Sequence, residues 1–189
     1  MNGCWRPRPA EPINQFAVVS YIPEELGDFI TTLRQELVAG CTAQSHVTIL
    51  PPRPLHSDTY TAENDLRLRS SDFTAFNIGI TRIRIFEETS VIFADIGQGR
   101  ECFFEMHDAL NAGVLAFDEP YSYHPHITLA QGFDPSTLME RYEMAMARWS
   151  EAPRCVAQIE NLTFVQNTSN NCWIDLVGYE LRDAVAVYR

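Results

Sequence analysis

Two segments eighty residues apart carry the same pattern, His46-Val-Thr48-Ile-Leu50 and His126-Ile-Thr128-Leu-Ala130. Two further landmarks keep nearly that spacing. Ile83-Arg-Ile85-Phe86 is echoed by Leu162-Thr-Phe164-Val165, and Ile92-Phe-Ala-Asp95 by Trp173-Ile-Asp175. A self-similar order at one period signals a duplicated architecture. The reading is two intertwined repeats of about 80 residues, each made of a helix, an H-x-T strand, a helix and a hairpin. Two such halves packed about a pseudo-twofold axis bring their equivalent strands together over a shared cleft.

The local patterns fill in the elements. Residues 15–22 form an apolar run ended by Pro23 and predict a buried strand. Residues 24–38 place Leu26, Phe29, Ile30, Leu33 and Leu37 at helical spacing, with Gly40 marking the stop. A strand over 46–50 is expected to end at Pro51-Pro52, and a polar helix to cover 58–71. Phe76, Ile78 and Ile80 alternate, then Ile83 and Ile85 resume in the opposite parity, which predicts a bulge near Thr81. Strands at 91–96 and 125–130, helices at 102–115 and 136–149, and a hairpin of 159–165 with 172–179 complete the expectation. Residues 1–14, polar and proline-rich, read as a flexible N-terminal arm ahead of one domain over 15–189.

Composition narrows the function classes. The 14 Lys+Arg against 25 Asp+Glu leave a net charge of −11, which disfavours bulk binding to duplex DNA, where clustered cations must neutralise phosphates. A short phosphorylated ligand in a locally basic cleft stays compatible with it. No apolar run approaches the ~18 residues that cross a bilayer, so no membrane partner is expected. Five widely spaced cysteines with no C-x-x-C pair favour reduced thiols and a cytoplasmic location over a disulfide framework or a zinc site. The expected state is a monomer.

In a strand, side chains at i and i+2 share a face. His46 therefore stands beside Thr48, and His126 beside Thr128, while Val47 and Ile127 turn into a core. Facing each other, the two motifs supply two proton-transfer groups and two hydroxyl donors. One imidazole can take the proton of an attacking hydroxyl while the other gives a proton to a departing oxygen. The threonines would hold the non-bridging oxygens and stabilise the charge growing there. With five histidines and thirteen threonines in the chain, chance supplies only about 0.3 H-x-T, so two copies at matching repeat positions carry weight.

The segments Ser45-His-Val-Thr-Ile-Leu-Pro-Pro-Arg53 and Tyr123-His-Pro-His-Ile-Thr-Leu-Ala130 resemble the two signature motifs of the 2H phosphoesterase superfamily, which includes 2′-5′ RNA ligases and 2′,3′-cyclic phosphodiesterases. The likeness runs from about Phe16 to Tyr179 in motif order and spacing. It implies an α+β, bilobal fold with an antiparallel sheet in each lobe and a central groove. It implies His46 and His126 as catalytic, Thr48 and Thr128 as phosphate-binding, and no metal or other cofactor. The implied activity is hydrolysis of a 2′,3′-cyclic phosphate to a 2′-phosphate, or reversible 2′-5′ ligation. The implied partner is a small nucleotide or an RNA end.

Arg53, Tyr123 and Phe133 are candidates for substrate contacts: a phosphate for the arginine, base stacking for the aromatics. Arg82 and Arg84 share the polar face of one strand, either as a solvated face or as a basic wall to the groove. His124, two residues before His126, reads as a supporting residue, and His56 and His107 as ordinary loop and helix positions. Two other readings compete. One is a metal-dependent hydrolase using His46, His124 and His126 with Asp95 or Asp175; neither motif carries a carboxylate or an H-E-x-x-H. The other is a non-catalytic nucleotide- or RNA-binding module, which has no need of two titratable groups.

Overall fold

Period-two burial along the chain builds a sheet, and period-3.6 burial builds the helices that cover one of its faces. The computed structural model describes residues 10–183. The strands are β1 (Pro12–Tyr21), β2 (His46–Arg53), β3 (Phe76–Phe86), β4 (Val91–Ile96), β5 (His126–Ala130), β6 (Val156–Ile159), β7 (Asn161–Thr168) and β8 (Trp173–Glu180). The helices are α1 (Glu24–Leu37), α2 (Thr59–Ser70), α3 (Arg100–Leu110) and α4 (Leu138–Trp149). All eight strands join one sheet, in the order β6-β3-β4-β5-β2-β1-β7-β8, with antiparallel neighbours.

Only Glu160 separates β6 from β7, yet these strands lie far apart in the strand order. One stretch of chain therefore pairs with β3 through its first half and with β1 through its second. That path requires the sheet to curl. Inside the curl, the helical face buries Val47, Ile49, Ile92, Ala94, Ile127 and Phe164 against Ile30, Leu33, Leu66, Phe103 and Met106, each aliphatic side chain contributing roughly 1.5–3 kcal/mol. The other face carries the small apolar cluster of Ala17, Val19 and Val165 and the side chains of both H-x-T motifs.

The strand order corrects the third repeat landmark. β4 sits between β3 and β5, whereas β8 lies at the edge beyond β7, so Ile92–Asp95 and Trp173–Asp175 occupy different places. The matching segments are β1–α1–β2 and β4–α3–β5, strand, helix and H-x-T strand in each case.

Other boundaries differ for local reasons. Residues 12–14, assigned by sequence to the arm, open β1; Asn14 exchanges two hydrogen bonds with the backbone of Leu55 at 2.9 and 3.0 Å. Residues 1–9, with Cys4, and 184–189 lie outside the described residues. Pro51 and Pro52 do not end β2. They sit where Val18 pairs with Leu50 and Phe16 with Arg53, a bulge that accommodates residues lacking an N–H donor. α3 stops at Leu110 because Asn111 turns the chain, accepting from Phe117 N–H and donating to its carbonyl. The bulge at Thr81 is present, between Ile80↔Ile96 and Arg82↔Asp95.

Candidate active site

β2 and β5 meet at the centre of the sheet, in the register Val47↔Ile127. Both of these side chains are fully buried on the helical face. Continuing the antiparallel register puts His46 opposite Thr128 and Thr48 opposite His126, all four on the other face and half-buried. Directly opposed side chains in such a ladder stand about 4.5–5.5 Å apart and diagonal pairs about 7–8 Å. The two imidazoles are the diagonal pair, and the charge of one bears on the other.

Each ring is braced in the same way. His46 Nδ1–H donates to the Gln44 carbonyl at 2.8 Å, and His126 Nδ1–H to the His124 carbonyl at 2.6 Å. A carbonyl only accepts, so each Nδ1 carries the proton and each Nε2 is left to work at the open face. Among the described residues, neither the Thr48 nor the Thr128 hydroxyl takes an internal hydrogen bond.

The first motif is anchored by α1. Gly27 lies so close to the end of β1 that a Cβ there would sit 1.9 Å from the Ile22 carbonyl oxygen. That approach lets Ser45 Oγ donate to the Gly27 carbonyl at 2.9 Å, while Ser45 N–H donates to Thr31 Oγ1 at 3.0 Å. Ser45 is thereby fixed one residue before the first imidazole. From the same helix, Arg34 is buried and donates to the Thr128 carbonyl, and its Nε finds no partner among the described residues.

The two imidazoles differ electrically. Burial first, and then the Arg34 guanidinium, push the His46 pKa down to about 4, against the opposing pull of the Gln44 carbonyl. His126 is also lowered, by burial and by the His124 ring, but its own carbonyl partner and the Asp95 carboxylate act the other way. Asp95, buried on β4, accepts from His124 Nε2–H at 3.1 Å, and Arg100 donates to His124 Nδ1 at 3.2 Å. The stacked pair Phe86 and Phe93, with centroids 3.9 Å apart, turns toward His124 and His126; the His126 ring sits edge-on at 5.0 and 5.3 Å. On the far side Tyr21 lies edge-on to His46 at 6.3 Å and donates to Asp175 Oδ1 at 2.6 Å.

Of the expected substrate contacts, the structure relocates all three. Arg53 is fully buried; it pairs with Glu119 and donates to Asn111 Oδ1 and to the Pro51 and Leu115 carbonyls, so four of its five N–H groups are committed inside the protein. Tyr123 stacks on His107 with centroids 4.1 Å apart, and its hydroxyl donates to the Thr48 carbonyl at 3.0 Å. It ties one motif to the other from behind the site. Phe133 packs against the core beneath the Arg141 guanidinium. Tyr21, Arg34, Phe86, Phe93 and Arg100 are not marked as site residues by the sequence, since only strand register shows that they converge. The carboxylates of the metal alternative stand apart, Asp95 with His124 and Asp175 with Tyr21. No group of three His, Cys, Asp or Glu side chains among the described residues converges as a metal-binding set.

The family model of the 2′-5′ RNA ligase superfamily matches residues 22–171, which include both motifs and the strands that carry them. The chain belongs to this superfamily. As a 2H phosphoesterase it shares its architecture with several solved structures. A protein described as a phosphoesterase aligns with a TM-score of 0.62 at 16% identity, covering 91% of this chain and 99% of that one. Escherichia coli LigT complexed with NADP+ gives 0.61 at 16%, covering 90% and 99%. A Thermus thermophilus protein gives 0.61 at 18%, covering 89% and 98%. No curated protein matches the chain in sequence. At these identities the likeness concerns the fold, and it agrees with the α+β, antiparallel architecture of this 2H phosphoesterase.

Proposed function

We propose that the chain is a metal-independent phosphodiesterase that opens a 2′,3′-cyclic phosphate to a 2′-phosphate, with reversible 2′-5′ ligation at the same site when a 5′ hydroxyl replaces the attacking water. The observation that carries this reading is the matched bracing of the two imidazoles, each with Nδ1 tied to a backbone carbonyl and Nε2 free on one shared face. In hydrolysis one Nε2 takes a proton from water as its oxygen attacks phosphorus. The 3′ oxygen leaves and collects a proton from the other Nε2–H, so the 2′-phosphate and a 3′ hydroxyl remain. Thr48 and Thr128 donate to the non-bridging oxygens as charge builds on them. Arg34 beside His46 disfavours its cation and Asp95 behind His126 favours one, which suits His46 to the base role and His126 to the acid role in this direction.

We also read the matching β1–α1–β2 and β4–α3–β5 segments as two related lobes of a single domain, with the active groove at their junction. LigT structures complexed with 3′-AMP, ATP and phosphate support a small nucleotide or an RNA end as the substrate. The four described cysteines are free, in keeping with a monomeric cytoplasmic enzyme.

Replacing either His46 or His126 by Ala should lower turnover of a 2′,3′-cyclic nucleotide at least ~10²-fold with chelator present, and phosphorus NMR of the wild-type product should show the 2′ ester. Full activity in either variant would defeat the reading, as would a 3′ ester as the product.

A further inference from the structure

The face that carries the motifs is electrically lopsided. The bulge at Thr81 turns Arg82 and Arg84 onto it, opposite Asp95 and Phe93 of β4, which in turn lie opposite His126 and Thr128 of β5. Arg100, from the first turn of α3, joins them. All three guanidiniums gather on the single buried carboxylate of Asp95, at 3.7, 3.5 and 4.0 Å. At those separations none makes a hydrogen bond to it, and apart from the Arg100 N–H given to His124 their N–H groups stay available. One carboxylate meets three cations, so two positive charges stay unmatched on a chain whose net charge is −11. The Arg82 and Arg84 side chains are 68% and 46% exposed, with Asp95 within ion-pair reach of both. Beyond His46, the opposite wall carries an acidic group, Asp175, together with Tyr21. An anionic extension of the substrate is therefore repelled on one side and attracted on the other.

We infer that Arg82, Arg84 and Arg100 form a subsite for a second phosphate of the substrate. Planar guanidiniums match phosphate oxygens with paired N–H groups. β3 runs two strands from β5, roughly 10 Å away, a span that one nucleotide unit bridges. The enzyme is thus built for a nucleotide or oligonucleotide end bearing another phosphate, in preference to a nucleoside cyclic phosphate alone. This deepens the phosphodiesterase reading and rests on it for the placement of the first phosphate.

Calorimetric titration separates the two ideas. Wild-type protein and the R82Q/R84Q double variant are each titrated with adenosine 2′-phosphate and with adenosine 2′,5′-bisphosphate. Wild type should bind the bisphosphate at least about 10-fold more tightly, and the double variant should bring that ratio to within about twofold of one. Should the double variant misfold, R84Q alone should at least halve the ratio. A wild type that binds both ligands equally, or binds neither, overturns the subsite, and so does a variant that keeps the preference. A preserved preference in wild type with no turnover of any cyclic phosphate would sink the catalytic reading and leave the phosphate subsite standing.

Discussion

Two backbone carbonyls, those of Gln44 and His124, decide which nitrogen of each imidazole is left facing the open side of the sheet. What distinguishes the rings is then the charge behind them. The base must be unprotonated, so activity should rise with pH through the depressed His46 value near 4. The acid must be protonated, so activity should fall as pH passes the lowered value of His126. For kcat/KM of a cyclic nucleotide we expect a bell whose optimum lies below the ordinary imidazole value of about 6.5. Arg34→Met removes a buried cation that opposes protonation of His46. The acid limb of that bell should move to higher pH, while the alkaline limb, set by His126, should move less. An unshifted acid limb would show that Arg34 acts only as a brace for Thr128. The H-x-T pairs were legible in sequence because a period of two fixes which side chains share a face. Arg34 was not: an arginine in an amphipathic helix looks solvated until the helix is docked.

At the scale of elements, the supports of the site come from segments that sequence placed only approximately. β2 runs through two prolines because a bulge there needs no ladder donor, and Arg53 at its end is carried into the core. The Arg53–Glu119 pair is buried on both sides, at 1% and 9% side-chain exposure. Removing the cation alone leaves the buried Glu119 carboxylate with only its His107 contact at 3.1 Å, at a cost of about 3–5 kcal/mol. Arg53→Ala should therefore show a lowered denaturation midpoint in urea, and Arg53→Met combined with Glu119→Leu should recover much of the loss. If instead the single variant were stable and bound nucleotide weakly, the arginine would belong to the substrate after all. The parity change at Thr81 was readable from alternation, and it is the feature that delivers Arg82 and Arg84 to the working face. β6 was missed because Val-Ala-Gln-Ile is only four residues long and largely unburied, and its partner on β3 lies about 80 residues away.

For the whole molecule, charge and topology set the limits. With a net charge of −11, the protein should not retain a 30-base-pair DNA duplex in a mobility-shift assay near physiological salt. Retention at micromolar protein would show a basic surface elsewhere. Among the described residues no helix is long and apolar enough to cross a membrane.

The individual strands and helices other than β6 followed from local pattern, and the α+β class from the resemblance carried by the two motifs. The strand order did not, because nothing local says that residues 161–168 return to lie against residues 12–21. That return governs how the chain matures. β1 borders β2, the strand that bears the first imidazole, yet its other edge stays bare until about 150 further residues have been made. A ribosome must therefore release the chain through about residue 168 before the half that carries the first motif is closed. Sequence-distant pairings of this kind are slow to form, so the newborn enzyme passes through an interval in which a chaperone has an open strand to guard.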